Sequence, residues 1–564
     1  MPLGEKKLRR ITGIGLVLLT MATRLPLATK MLYEFDSIDF AVATFRYSLE
    51  QVTPHFPGYI LHILFAKFLL LFTSDINFSF VLISTLLSVG AVLYLWRAAA
   101  ALRGERVGLI AAALWVLLPI FWFYGLVATV YEYEAFFACA LLYHGIKLLR
   151  SPQNEKHFFA LAILLSLATG ARQSSVVFFA PAILFITLIT KQRRRTLAIA
   201  FGLFVLTTAI WLSILLAMCG GAQEYLTAMR AEHIYKSQSF LFGNPITEHL
   251  AVMAKVIVYL IGGALPIVLV AICALLLYPK RLLAFIVSVR RSVAFQYISL
   301  IAMPPLIFYF AVYFMKAGYL LNVIPSIVLC GAVLIDQLSI WRAETIKTKP
   351  ANAMRFTRPL IVRNAIIWTG LVIAFNICWF TIRFPVTSDQ EFFNAFTRDS
   401  FGELRSAITK TNGGIDYIFN RILSFTSYHS AVESDLLHNI VYDTLHTEVQ
   451  NNKQVVILGS WWHRWGYFYL PEATIYDIRD LPNSDELMLG VAKHFIRKNI
   501  YEPEIIIPKN AEVILTLRDD HPAFQIISQQ VHLQRFAMPK YLDLWKINDT
   551  AFTLHWKDKV FVKR

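Results

Sequence analysis

The sequence predicts a polytopic α-helical membrane protein of about eleven transmembrane helices, with amphipathic helices beside the membrane on its outer face and a small C-terminal α/β domain. Three observations predict it. Of the 564 residues 57% are hydrophobic and 16% charged, with a mean hydropathy of +0.55. Apolar runs of about twenty residues, enough to cross a hydrocarbon core, recur over the first two thirds of the chain. Beyond residue 384 those runs shrink to strand length and charges become frequent.

The formal charge of +16 does not indicate nucleic acid, because the basic residues form no single patch with base-reading elements. They gather instead in short connections: Lys6, Lys7, Arg9 and Arg10; Arg97, Arg103 and Arg106; Lys147, Arg150 and Lys156; Lys191 and Arg193 to Arg195; Lys280, Arg281, Arg290 and Arg291; and Arg342 to Arg363. The positive-inside rule assigns all of these to the cytoplasmic side. The first group and its apolar run resemble a signal sequence, but no small-residue cleavage site follows, so this segment reads as an uncleaved first span. The five cysteines show neither metal spacing nor a disulfide framework and read as packing residues.

Placing the basic connections inside fixes the spans near 11–29, 78–96, 107–125, 134–149, 157–170, 173–190, 197–218, 251–278, 293–314, 319–341 and 364–383. "ILHILFAKFLLLF" at 60–72 is too short to cross and would put Arg97 to Arg106 outside, so it is assigned to the outer surface. "FFALAILLSLATGARQSSVVFFAPAILFITLIT" is too long for one span and reads as two short ones meeting at Gly170 to Gln173. With the N-terminus cytoplasmic, an odd number of spans puts residues 384–564 outside. The expected domains are therefore 1–383, transmembrane, and 384–564, extracytoplasmic α/β. In the latter "QVVILG", "ATIYDI", "EIIIP", "EVILTL" and "YLDLWKI" read as strands, and "SDELMLGVAKHFIRKN" has helical spacing. No internal repeat is visible.

The stretch "FDSIDFAVATFRYSLEQVTPHFPGYI", 35–60, places acids and a histidine directly after the first span. Ile38, Ala41, Val42, Phe45, Leu49 and Val52 form one helical stripe, with Asp39, Arg46, Glu50 and Gln51 off it. The stripe predicts an interfacial helix over 37–52 with Asp36 at its N-cap region.

"EFDSIDFA" followed by "PHFPGY" resembles the first outer loop of the GT-C glycosyltransferases, in particular bacterial relatives of protein O-mannosyltransferases and of the aminoarabinose transferase of lipid A. Asp36 occupies that family's acidic position, and His55 with Pro57 stands for its basic-Pro-Pro element, although Phe56 intervenes. "YEYEAFF" (131–137), "GARQS" (170–174) and "MKAGYLLNVIPS" (315–326) lie where the family carries an acidic residue, a basic residue, and a lysine before a Tyr-Leu-Leu-Pro helix. Here Asn322, Val323 and Ile324 delay that proline. The topology puts all four places on one face.

The resemblance implies transfer of a sugar from a polyprenyl-phosphate donor to a lipid, glycan or protein acceptor at the outer face of a bacterial plasma membrane. Such chemistry asks for a carboxylate near the acceptor and cations near the leaving phosphate. Asp36 suits the first task as catalytic residue, with plain helix capping as its other reading. Arg172 and Lys316 suit the second, since ionisable groups near membrane depth are costly unless paired or functional. His55, Glu132, Glu134 and Tyr319 complete the expected substrate-binding set. Glu132 and Glu134 are two apart and cannot share one direction from a helix, so one is expected to pair with Arg172 and the other to face substrate. Asp36, Asp39 and His55 could hold a divalent cation, though no conventional zinc spacing is present. His233 reads as a solvated loop residue and Asp519 and Asp520 as a solvated turn. A flippase or transporter of lipid-linked sugars, or a non-catalytic scaffold, are the competing readings; a transporter is expected to show repeated halves and polar residues at mid-membrane.

Overall fold

The computed structural model describes residues 3–237, 246–314, 316–345, 353–381, 428–451, 454–459, 468–477, 504–516, 522–536, 544–556 and 559–564. Its helices are α1 (Leu3–Arg24), α2 (Phe35–Ala43), α3 (Ile60–Leu69), α4 (Ile76–Arg103), α5 (Glu105–Val116), α6 (Pro119–Tyr124), α7 (Tyr131–Arg150), α8 (Glu155–Ala171), α9 (Ser175–Thr190) and α10 (Arg194–Cys219). They continue as α11 (Ala222–Ser237), α12 (Ile246–Leu277), α13 (Pro279–Arg290), α14 (Val293–Ala311), α15 (Ile324–Thr345) and α16 (Ala353–Thr381), with a 3-10 turn at Ala317–Asn322 ahead of α15. The protein is a multi-pass membrane protein.

Among the described residues seven helices are both long and apolar enough to cross a membrane: Lys6–Leu27, Ile76–Arg103, Arg194–Cys219, Val252–Leu277, Val293–Ala311, Ile324–Thr345 and Pro359–Thr381. The four other expected spans take different forms. Pro119 takes the first position of a new helix, where its missing amide donor leaves no bond unmade, and 107–125 is divided into α5 and α6. The second, α7, is 20 residues long but carries Glu132, Glu134, Lys147 and Arg150 in its end turns. The remaining two, α8 and α9, are the short helices predicted on either side of Gly170 to Gln173, with 17 and 16 residues.

The connections that carry the basic clusters converge at one end of the helical body. Arg150 donates to the Leu102 carbonyl (2.8 Å) and Gln192 to that of Pro152 (3.0 Å). Arg106 pairs with Asp336 at 2.5 Å, Arg281 with Glu344 at 2.9 Å, and Arg9 with Glu105. The centre is packed around α4 and α7, where Trp96, Trp115 and Tyr297 are fully buried. Close packing there depends on Gly145, whose Cα faces the Tyr297 ring while the Tyr297 hydroxyl donates to the Leu141 carbonyl at 2.8 Å.

Two surface expectations are corrected. The helix predicted over 37–52 is only α2, ending at Ala43. Thr44 donates its hydroxyl to the Ala41 carbonyl at 2.7 Å, and the chain then folds back so that Ser48 and Thr53 exchange backbone hydrogen bonds. Such local side-chain bonds, followed by Pro54 and Pro57, compete with helix continuation. Phe45, read as apolar stripe, is exposed, whereas Asp39, read as off it, is buried. The second correction concerns 60–72, which does not simply lie on the surface: α3 is wedged against α4 and α8, burying Ile60, His62, Ile63, Ala66 and Leu69, with Phe68, Leu71 and Phe72 exposed.

Toward the C-terminus, α17 (Tyr428–Asn451) precedes a mixed five-stranded sheet, order β2-β1-β4-β6-β5, and a three-stranded sheet, order β3-β8-β7. The strands are β1 (Val455–Gly459), β2 (Thr474–Asp477), β3 (Glu504–Ile507), β4 (Glu512–Thr516), β5 (Leu533–Arg535), β6 (Trp545–Ile547), β7 (Phe552–Trp556) and β8 (Lys559–Lys563), with helix α18 (Pro522–Ile527) before β5. Parallel neighbours β2 and β4 flank β1, which is buried on both faces: Val455 and Ile457 pack toward α17, Val456 and Leu458 toward the opposite apolar cluster. That double burial is why the segment reads as an unbroken apolar run. The expected boundary at 383/384, the helical stretch 484–499, and Asp519 and Asp520 lie outside the described residues.

Gly145→Ala should force Tyr297 out of place and lower stability by about 1–3 kcal/mol, the usual range for overpacking. Thermal denaturation in detergent would show it as a lowered midpoint, with a smaller effect of the same change in a Tyr297→Leu background.

Candidate active site

The site lies at the end opposite the basic connections: α7 carries Glu134 in its first turn and Arg150 in its last, and α8 runs from Glu155 to Ala171 just before Arg172. Its first group forms where the chain leaves α1. Glu34 is the N-cap of α2, its amide donating to the Ser37 hydroxyl (3.2 Å), and Ser37 in turn donates to the Ala128 carbonyl (2.5 Å). Asp36 therefore sits in the first turn and is not the cap, so capping no longer accounts for its carboxylate. Lys316 extends between the two acids, with Nζ 2.7 Å from Glu34 Oε2 and 3.0 Å from Asp36 Oδ2. Side-chain exposure is 9% for Glu34 but 30% for Asp36 and 26% for Lys316, so the cluster opens on the Asp36 side.

Burial pushes the Glu34 carboxyl above the usual range, with Lys316 opposing. Burial alone would lower Lys316, but Asp36 and Glu34 outweigh it and hold the ammonium well above its ordinary value. Lys316 therefore stays charged through the physiological range.

The second group centres on Arg172, the extended C-cap residue of α8. Its Nη1 donates to Glu134 Oε1 at 3.0 Å, and its guanidinium carbon lies 4.0 Å from the Tyr319 ring centroid. Burial would lower this group too, yet Glu134 and the surrounding tyrosines hold it well above its ordinary value. Asn322 donates to both Glu134 Oε2 (3.1 Å) and the Tyr309 hydroxyl (2.7 Å). Tyr131 links the two groups, with its ring 5.8 Å from that of Tyr319 and its hydroxyl within electrostatic reach of Lys316, Glu34 and Asp36. Gly318 permits this approach, since a Cβ there would run into the Tyr131 ring.

A third group is Asp39, His55 and Tyr59. Buried Asp39 lies 3.8 Å from His55 Nδ1, and His55 Nε2 is 3.1 Å from the Tyr59 hydroxyl. Tyr59 is within reach of Arg172, Tyr319 and Asp36, which joins this group to the other two. Asp36, Asp39 and His55 can bring one ligand atom each within 4.8 Å of one another. Two carboxylates and one imidazole supply only part of the oxygen-rich shell a hard divalent cation takes, and the Lys316 ammonium already places a positive charge beside Asp36.

Residues 54–218 match the family described as dolichyl-phosphate-mannose-protein mannosyltransferase. ArnT from Cupriavidus metallidurans bound to undecaprenyl phosphate is similar in structure, with a TM-score of 0.57 at 12% identity over 97% of this chain and 99% of that one. ArnT from the same organism in the apo state gives 0.54 at 13% identity, with the same shares of both chains. This chain has the GT-C fold. No curated protein matches it.

In this GT-C chain Asp36, Lys316, Arg172, Glu134, Tyr319 and His55 come together from segments far apart in sequence. Glu132 does not join them: fully buried, it faces Arg24 and Ser88, while Glu134 takes the pairing with Arg172. His233 lies exposed on α11 and not in a loop, next to buried Glu232. Sequence reasoning passed over Glu34, Tyr59, Tyr309 and Asn322 as site residues. Glu34 three residues before Ser37 is a spacing suited to a helix start and could have drawn attention to it; nothing local distinguishes Tyr309 inside an apolar run.

Arg172→Leu should destabilise the protein by about 3–5 kcal/mol by leaving the Glu134 carboxylate buried and uncompensated. The double variant Arg172→Leu/Glu134→Leu should lose less than the single one, and thermal denaturation in detergent compares the two.

Proposed function

We propose that this protein transfers a sugar from a polyprenyl-phosphate donor to a lipid, glycan or protein acceptor at the membrane face that carries Asp36. The observation that carries the reading is the Lys316 ammonium held at the open edge of the helical body beside the Asp36 carboxylate, with the Arg172 guanidinium on Tyr319 close by. In the reaction an acceptor hydroxyl oxygen bonds to the sugar's anomeric carbon as the bond from that carbon to the phosphate oxygen breaks. Asp36 orients the hydroxyl and takes its proton, and the departing electron pair goes to the polyprenyl phosphate. Lys316 and Arg172 neutralise the charge that grows on that phosphate, in a half-buried setting where fixed charges act more strongly than in water.

The contact between Lys316 and Asp36 makes the two roles interdependent. A phosphate drawing Lys316 toward itself loosens its hold on Asp36, which raises the basicity of that carboxylate as the donor arrives. His55 and Tyr59 border the same space and suit hydroxyl recognition. Association of the chain with ArnT in fold, in a structure that holds undecaprenyl phosphate, supports a lipid-linked donor. We place the division between the transmembrane domain and the C-terminal domain near residue 383, and both the C-terminal domain and the site on the extracytoplasmic face of a bacterial plasma membrane. Positive-inside placement of the basic connections supports that orientation.

Asp36→Asn should keep polyprenyl-phosphate binding and lower turnover on the order of 100- to 10,000-fold, the range for a positioned acid or base. The assay is transfer in proteoliposomes supplied with a panel of polyprenyl-phosphate sugars; transfer from UDP- or GDP-sugars without polyprenyl phosphate would defeat the proposal. For the orientation, a reporter enzyme active only in the cytoplasm and fused after Arg564 should be silent, and strong activity in a stable fusion would reverse the assignment.

A further inference from the structure

The segment between α1 and α2 has no regular secondary structure over residues 28–34, yet its backbone donors are taken up one after another. The Thr29 amide donates to the Leu126 carbonyl (3.0 Å), and Asn77 Nδ2 donates to the Thr29 carbonyl (2.6 Å). The next three amides turn the other way. Lys30 donates to Asp435 Oδ2 at 2.6 Å, Met31 to Asp435 Oδ1 at 3.1 Å, and Leu32 to the Tyr469 hydroxyl at 3.0 Å. Glu34 then donates to Ser37, which starts α2. Lys30 is exposed, but Met31, Leu32 and Tyr33 are buried, so water does not readily replace the acceptors of Met31 and Leu32.

Asp435 belongs to α17, and Tyr469 lies just before β2 with its ring 5.0 Å from that of Tyr442 on the same helix. Both acceptors therefore come from the C-terminal part of the chain, about 400 residues from the segment they grip. A carboxylate that accepts two adjacent amides makes two charge-assisted bonds and fixes the peptide plane between them. The gripped residues end two positions before Glu34 and four before Asp36.

We propose that Asp435 and Tyr469 are positioning residues: by accepting the amides of Lys30, Met31 and Leu32 they set where Glu34 and Asp36 stand against Lys316. The C-terminal domain thus completes the site without touching substrate. The effect on turnover rests on the transferase reading above; the effect on the segment does not.

The test uses the full-length protein with Asp435→Ala, Asp435→Asn and Tyr469→Phe, the last keeping the ring and removing only the acceptor. Hydrogen exchange is followed over residues 28–38, and turnover and polyprenyl-phosphate binding are measured in proteoliposomes. Asp435→Ala should speed exchange at Lys30 and Met31, with the increase spreading to Ser37 and Ile38. It should lower kcat about 10- to 100-fold, as a small misplacement of a reacting group does, while polyprenyl-phosphate affinity changes less than threefold. Asp435→Asn, which can accept only one of the two amides, and Tyr469→Phe should fall between Asp435→Ala and the unaltered protein. Combined with Asp36→Asn, Asp435→Ala should add little further loss, because both act through one carboxylate.

Exchange that stays unchanged, or rises at residues 30–32 alone, would overturn the proposal. So would turnover within twofold of the unaltered protein in both Asp435→Ala and Tyr469→Phe. Should Asp435→Ala fail to fold, Asp435→Asn and Tyr469→Phe decide on the same criteria. If the unaltered protein transfers no sugar at all, the proposed reaction falls, and the spread of exchange to Ser37 and Ile38 alone upholds or overturns the clamp.

Discussion

Everything at the open end of this molecule depends on one ammonium group standing between two carboxylates. Glu34 and Asp36 are two residues apart at the start of a short helix, and without Lys316 two like charges would share a partly desolvated space. Taking the three groups out of water is costly, and that cost is offset only while their geometry holds. The surrounding structure can be read as the means of holding it. Gly318 lets the turn after Lys316 lie against Tyr131, its amide donates to the Tyr124 hydroxyl at 2.9 Å, and Asn322 anchors the end of that turn on Glu134 and Tyr309.

The same turn ties the two cationic groups to each other. Lys316 precedes it, and Tyr319 within it forms the face on which Arg172 rests. The helices beneath are long and closely packed, and the site sits on a rim at their ends. The rim is made of short pieces, α2, α3 and the 3-10 turn, tied to distant segments by bonds such as that of the Ser37 hydroxyl to the Ala128 carbonyl and of the Gly318 amide to the Tyr124 hydroxyl.

The general character of the chain was legible from sequence because it rests on local and additive properties. Hydropathy and run length specify a multi-pass helical body, basic connections specify which helix ends belong together, and strand-length apolar runs announce the C-terminal sheets. The order of acidic and basic residues in four segments was also visible, with Asp36, Arg172, Lys316 and Tyr319 among them.

Partners were a different matter. Sequence could say that one of Glu132 and Glu134 meets Arg172, since residues two apart on a helix diverge, but only packing decided that it is Glu134 and that Glu132 turns inward to Arg24. The apolar stripe over 37–52 followed helical spacing, yet the chain leaves the helix after Ala43, because local hydrogen bonds at Thr44 and Ser48 and the prolines beyond compete with it. At its other end Glu34 is the cap, held through Ser37 and the Ala128 carbonyl, and Asp36 faces Lys316. Composition and periodicity determine which environment each segment seeks; which side chains meet depends on contacts between residues hundreds of positions apart, such as Asp435 with Lys30 and Lys316 with Asp36, and no local pattern encodes those.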